Sequence, residues 1–208
     1  MPQALAGFHG DLYMASGDPV SFTHEAMTDS GDHTIYNITD ATKRYWDDAT
    51  APTVEVSTDS GSTWNTASDY TVQYVGGVVT FGTSDDTRSV RVSGAYLAAS
   101  QVGQAYSWEV TPSANLMDAT TFASAGWKEK IAGLKDASAK ASRYFLDGTF
   151  QDLLGERFIL VLYVNQADDI RFEAYGFLTT PALKVAVDAT VEEDIEFAVD
   201  GALYSILA

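Results

Sequence analysis

Three histidines, His9, His24 and His33, stand among the acids Asp11, Glu25, Asp29 and Asp32, where the chain first gathers side chains able to ligate a metal. Their spacings of 15 and 9 residues match no helical or hairpin ligand pattern such as HExxH, so they read as loop histidines. Carboxylates able to act as a general acid and base pair at Asp47-Asp48, Asp85-Asp86 and Asp168-Asp169 and run through Glu192-Glu193-Asp194. Adjacent acids at turns are usually solvated, and sequence does not set two of them across a cleft. The spacing D-x-[DN]-x-[DN]-G is absent, which excludes an EF-hand loop and leaves calcium only a turn such as Asp168-Asp169. There is no phosphate-cradling glycine loop, GxSxG elbow or kinase signature. The absence of cysteine removes thiol nucleophiles, thiolate zinc sites and iron–sulfur clusters together. The sequence therefore reads as that of a catalytically inert protein with no cofactor and no metal.

The sharpest local motif is Ser57-Thr58-Asp59-Ser60-Gly61-Ser62-Thr63-Trp64. It resembles SxDxGxTW, the Asp box of sialidase-like propellers, with Ser57, Asp59, Gly61, Thr63 and Trp64 at its fixed positions. Such a motif is a structural turn: the aspartate caps backbone amides, the glycine takes a left-handed conformation, and the tryptophan covers the loop. One copy in 208 residues does not supply a propeller.

The elements that must carry these residues are mostly strands. Hydrophobic content of 46% supports a packed core. Leu183, Val185, Val187, Ala189 and Val191 alternate with polar residues and predict one strand, and Ile195, Phe197 and Val199 predict the next. Ile170, Phe172 and Ala174, set against Arg171, Glu173 and Tyr175, predict a third, while Phe158 to Val164 reads as a strand buried on both faces. Upstream, Tyr106, Trp108 and Val110 alternate, as do Val90, Val92 and Tyr96, and Tyr70 to Phe81 reads as a hairpin turning at Gly76-Gly77. Helix is expected at Thr149 to Leu154, with Thr149 as N-cap and Gly155 as stop, and as a short turn between Thr39 and Trp46. The softest boundary, Ala98 to Gly103, reads as a junction inside one domain. The longest apolar run, Phe158 to Val164, is far short of the roughly 20 residues of a membrane-crossing helix, and no signal peptide is legible. The chain is expected to stay in the cytoplasm of the cell that makes it.

From Phe122 onward the chain resembles the bacteriophage tail tube proteins, the major tail proteins of long non-contractile tails of siphophage type. The resemblance rests on Gly126-Trp127-Lys128-Glu129-Lys130-Ile131-Ala132-Gly133-Leu134-Lys135-Asp136-Ala137-Ser138 and Tyr144-Phe145-Leu146-Asp147. It continues through Leu153-Leu154, Phe158 to Tyr163, Phe172-Glu173-Ala174-Tyr175-Gly176-Phe177-Leu178-Thr179 and Phe197 to Gly201. It implies a mainly β fold, a β-sandwich or barrel-forming tail tube fold with one short α-helix, over a single domain 1–208. Residues 99–208 form the best-matching core, 1–98 a looser β-rich part, and 32–96 an insertion that decorates or bridges rings. It also implies a homo-hexamer stacked into a tube, with tape measure, terminator and distal tail proteins as partners and DNA passing through the lumen unheld. Localisation would be the virion tail, assembled in the host cytoplasm, with no membrane association.

A formal charge of −17 agrees physically, because carboxylates repel phosphates whereas a basic lining would release counterions and grip the strand. Glu173, Asp188, Asp194 and Glu196 are the candidate lumen-facing acids. The alternatives are a tail completion or terminator protein of the same fold, or a carbohydrate-binding β-sandwich module using Trp46, Trp64 and nearby tyrosines. A glycosidase by way of the Asp box ranks third.

Overall fold

The computed structural model describes Gly7 and residues 10 to 207; His9 lies outside the described residues. In chain order the strands are β1 (Asp11–Ala15), β2 (Val20–Asp29), β3 (Ile35–Ile38), β4 (Thr53–Ser57), β5 (Asn65–Thr66), β6 (Tyr70–Gln73), β7 (Val78–Phe81), β8 (Ser89–Tyr96) and β9 (Ala99–Gln101). There follow β10 (Ala105–Asp118), β11 (Lys130–Tyr144), the single-turn helix α1 (Thr149–Asp152), β12 (Arg157–Asn165), β13 (Ile170–Lys184) and β14 (Glu192–Ile206). The chain is mainly β with one short α-helix among the described residues, as its alternating pattern predicts.

Two compact units result. One combines the chain up to Gln101 with Phe158–Glu173 and the last residues from Ile206; the other comprises Val102–Arg157 and Ala174–Ser205. The division after Gln101 falls within the soft segment Ala98 to Gly103.

In the first unit a seven-stranded sheet, in the order β5-β4-β8-β2-β3-β7-β6, curls until its ends approach. The Tyr70 hydroxyl of β6 lies 3.5 Å from the Pro52 carbonyl just before β4, and Ala67 donates to Val54. The alternation of Val90 and Val92 on β8, Tyr36 on β3 and Val79 and Phe81 on β7 turns one face inward, where Trp46 and Val54 complete the core. The Tyr36 and Phe81 rings meet edge to face at 5.6 Å. The β6–β7 link turns through positive φ at Gly76 (96°) and Gly77 (64°), a conformation that glycine adopts without strain. The same unit holds β1 antiparallel to β12, from Asp11 opposite Tyr163 to Ala15 opposite Ile159. Phe158 to Leu162 are all buried, in keeping with the two-sided burial predicted for that run.

In the second unit β10 and β11 form a long antiparallel hairpin, and β14 pairs with β11 from Ser138 to Tyr144. Helix α1 buries Phe150. The expected Thr149 cap is corrected: Thr149 is already helical, its N–H donates to Asp147, and Gly155 follows at φ 81°. The segment expected as a helical turn after Thr39 is a 3-10 turn at Ala41–Lys43, capped by Asp40.

Two expectations fail. The strand expected over Leu183 to Val191 does not form: β13 ends at Lys184, and the rest is the link to β14, with Val185 and Val187 exposed. Alternation gave that segment an apolar face, but among the described residues 185–191 pair with no strand. The second failure is the inside-out start of β13. Arg171 and Glu173, read as the outward polar face, are buried, and Ile170 and Phe172 only partly so. Period two shows which residues share a face, not which face is interior.

Candidate functional site

Two buried ion pairs lie at structural positions. In the first unit, Arg171 Nε donates to Glu173 Oε2 at 2.7 Å, and its Nη1 lies 2.5 Å from Asp169. Burial pushes the Glu173 carboxyl up, against the lowering pull of Arg171. Glu173 is 1% exposed, so it offers no carboxylate to a passing strand, and its place among the lumen candidates is corrected by that burial. In the second unit, Arg143 Nε donates to Glu193 Oε2 at 2.6 Å, and Gln151 of α1 donates to Glu193 Oε1 at 2.7 Å. The Arg143 guanidinium also stacks 4.3 Å over the Phe150 ring. This pair therefore clamps α1 to the β11–β14 ribbon.

The other three candidates reach the surface. Asp188 sits in the exposed β13–β14 link. Glu196 belongs to a cross-strand row, opposite Lys140, which is opposite Glu109. Lys140 Nζ is 2.5 Å from Glu196. Asp194 pairs with Lys184 and accepts from the Ser142 hydroxyl at 2.7 Å; the lysine first, then the serine, holds its carboxyl below the usual range. This face of the sheet is a carboxylate–lysine lattice, not a bare acidic wall.

Several other aspartates are committed to turns. Asp-x-Thr occurs eight times in the sequence, and at five of these, Asp32, Asp40, Asp85, Asp118 and Asp147, the carboxylate accepts the N–H of the threonine two residues on. Sequence reasoning missed this; the signal was the recurring tripeptide. In the Asp-box-like turn, Asp59 accepts from Ser57 (2.6 Å), the Thr63 N–H (2.9 Å) and the Thr63 hydroxyl (2.5 Å), while Gly61 sits at φ 87°. The Trp64 indole donates to the Gly61 carbonyl at 3.1 Å. The Ser57 and Thr63 bonds hold Asp59 well below the usual carboxylate range, and backbone bonds from Ile35 and Thr34 do the same for Asp32.

A pH dependence follows. A carboxyl whose folded pKa is depressed contributes stability that is present above its unfolded value and lost as pH falls toward the folded one. Asp29, Asp40, Asp85, Asp118 and Asp147 are lowered like Asp32 and Asp59, from an ordinary value of 3.8, whereas Glu173 moves the other way. The apparent stability, followed by circular dichroism in urea, is thus expected to hold near neutrality and fall steadily below about pH 4. A stability that rises from pH 4 to pH 2 contradicts the capping role.

No metal or sugar site appears where the sequence offered one. His24 lies 3.5 Å from Glu55, and His33 Nδ1 is 2.5 Å from Asp29. Among the described residues, no three His, Asp or Glu side chains are grouped to hold a metal ion. At the Asp168-Asp169 turn, Asp168 accepts from Asn165, and Asp169 faces Arg44 and Arg171. The proposed tryptophan platform is also corrected. Trp46 is 1% exposed inside the core, and Trp64 is covered by the Arg91 guanidinium at 4.2 Å.

A run of exposed large apolar side chains lies on the β10–β11 hairpin. Beyond Thr111 and before Ser138 the ribbon has only its two strands, because β11 meets β14 only from Ser138 on and β10 is the sheet edge. Leu116, Met117, Phe122, Trp127 (80% exposed), Ile131 and Leu134 (86% exposed) stand out from it. The tip is well formed: Ala119 donates to Glu129, Trp127 to Ser124, and Glu129 to the Thr120 hydroxyl. Residues 118–140 carry four lysines against three acids on a strongly acidic chain. Gly126 to Ser138, which opens the tail tube resemblance, lies on the tip and second strand of this hairpin.

No described helix is long and apolar enough to cross a membrane. No protein-family model matches the chain. No curated protein matches it either. Among solved structures, it is similar to a chain in the tail of an empty gene transfer agent particle with C6 symmetry. The identity is 18% and the TM-score 0.45, over 52% of this chain and 87% of that one. It is also similar to a chain in the virion of a native gene transfer agent particle, at 17% identity and TM-score 0.42, over 52% of this chain and 88% of that one.

Proposed function

We propose that this protein is a structural subunit of a phage-like tail tube. It assembles as rings of six that stack around a DNA channel, in the company of tape measure, terminator and distal tail proteins. Its place is the virion tail, built in the host cytoplasm. The observation that carries the reading is the outer β10–β11 hairpin. A two-stranded ribbon in water is marginal alone, and this one exposes large apolar side chains along open edges. A second copy of the chain is the occupant that fits. The hairpin carries a slight excess of lysines, whereas the first unit has 16 acids against 5 bases, so hairpin and body are complementary in charge. The exposed Val185 and Val187 add a further apolar contact in the second unit. Asp188, Asp194 and Glu196 are the proposed lumen acids, with Lys140 and Lys184 moderating their field.

Negative-stain electron microscopy over a concentration series tests this. Stacked sixfold rings with an open centre are expected, whereas single rings that never stack favour a terminator. Leu134→Asp or Trp127→Asp alters an exposed side chain and should leave the monomer folded. Each is expected to raise the concentration needed for assembly roughly 30-fold, the effect of losing about 2 kcal/mol at an interface hot spot. A chain that stays monomeric at every concentration, or variants that assemble like the parent, would overturn the reading.

A further inference from the structure

We infer that the first unit binds a neutral saccharide in a cleft walled by Tyr13, Tyr45, Tyr96 and Tyr163, with Arg44 and Gln166 supplying polar groups. The cleft measures about 340 Å³, the size of a small-ligand site, and all its walls come from this one unit. Its remaining lining is short: Thr42 adds a hydroxyl and Ala41, Ala98 and Ala99 only methyl groups, and with Tyr45 buried behind them Tyr13, Tyr96 and Tyr163 give the main ring surface.

The local structure fixes those rings. Tyr13, opposite Val161, and Tyr163, opposite Asp11, are diagonal neighbours across the β1–β12 pair, their rings edge to face at 5.5 Å. Gln166, in the β12–β13 turn, donates to the Tyr13 hydroxyl at 2.8 Å. Tyr45 is held by its bridge to Val75 and by the Leu97 N–H at 2.7 Å, and Tyr96 packs against Phe22 of the core. A tyrosine presents an apolar face and a polar tip together, which suits a ligand that is itself C–H on one face and hydroxyl at its edge.

Charge narrows the ligand. Arg44 is the cation of the cleft, and it is already engaged: Nη1 lies 3.2 Å from both oxygens of Asp169, and Nε donates to the Ala41 carbonyl at 3.0 Å. With 16 acids against 5 bases in the unit, a phosphate or sulfate would meet a repulsive field. With its charge met by Asp169, Arg44 offers its remaining N–H donors, and Gln166, whose amino group serves Tyr13, offers its amide oxygen, a set that matches neighbouring hydroxyls instead. Neither tryptophan that the sequence suggested as a sugar platform lines the cleft: Trp64 is not among its walls, and Trp46, bridged to Tyr96, is buried behind it.

The test uses the whole chain, kept dilute so that assembly plays no part. A glycan array is followed by saturation-transfer NMR with the best neutral oligosaccharide. The expected result is binding, with saturation concentrated on the C–H protons of one sugar face. Tyr163→Ala and Gln166→Ala should each weaken it about tenfold, and Trp64→Ala should leave it unchanged. Gln166 is exposed, so its variant stays interpretable if Tyr163→Ala is unstable. The inference is overturned if no neutral saccharide binds, if only anionic glycans or proline-rich peptides bind, or if affinity survives both substitutions. None of these outcomes bears on ring formation.

Discussion

Arg143→Met is expected to lower the unfolding free energy by about 3–5 kcal/mol, the cost of leaving a buried carboxylate without its partner. The side chain it removes is 4% exposed and does three things: it pairs with Glu193, reaches the Asp147 carbonyl at 3.2 Å, and covers Phe150. Glu193, at 0% exposure, would keep only the Gln151 amide on its other oxygen. The decisive comparison is the double variant Arg143→Met with Glu193→Leu. Removing both charges removes the desolvation cost together with the attraction, so most of the loss should return. Urea denaturation of the parent, the two single variants and the double variant measures this as a cycle. If the double variant is as unstable as Arg143→Met, the effect comes from lost packing around α1 and not from a stranded charge.

The second large effect is expected at Gly76. Its φ of 96° strains any residue with a Cβ, and a Cβ built there would sit 2.6 Å from Glu173 Oε1. That oxygen cannot simply retreat, because the other carboxylate oxygen is bonded to Arg171 inside the unit. Gly76→Ala should therefore cost about 2–4 kcal/mol, combining backbone strain with disturbance of a buried pair. Gly31 gives the control: its φ is 103° and nothing lies within 4 Å of a built Cβ, so Gly31→Ala should cost only the backbone part, about 1 kcal/mol. Equal losses at the two glycines would remove the proposed conflict with Glu173.

Much of the fold was legible because strands alternate against a core. Val90, Val92, Val79 and Phe81 took the positions that their periodicity predicts, and Gly76-Gly77 turned the hairpin. What sequence hid was interior polarity. Nothing local distinguishes Arg171 and Glu173 from a solvated strand face; they are met by Asp169, in the turn before β13, and by the distant glycine at 76. The same holds for Arg143 and Glu193, fifty residues apart. Leu183 to Val191 misled in the opposite sense, since an apolar stripe predicts burial only where a neighbour exists to cover it. The acids were the third lesson. Read as a field, they suggested a wall; in place, Asp32, Asp40, Asp59, Asp85, Asp118 and Asp147 hold backbone turns, and Asp194 and Glu196 answer lysines.

In the proposed assembly, the hairpin with two open edges sets a stoichiometry. One arm per chain, seated on a different surface of the next copy, makes a contact with direction: each added chain uses one arm and presents another. A chain that keeps its body but has a blunted arm, such as Leu134→Asp, is then not merely inactive. It can receive an arm without extending one, so in a mixture it acts as a chain terminator. A small fraction of it should shorten the polymers of the parent protein out of proportion to its amount.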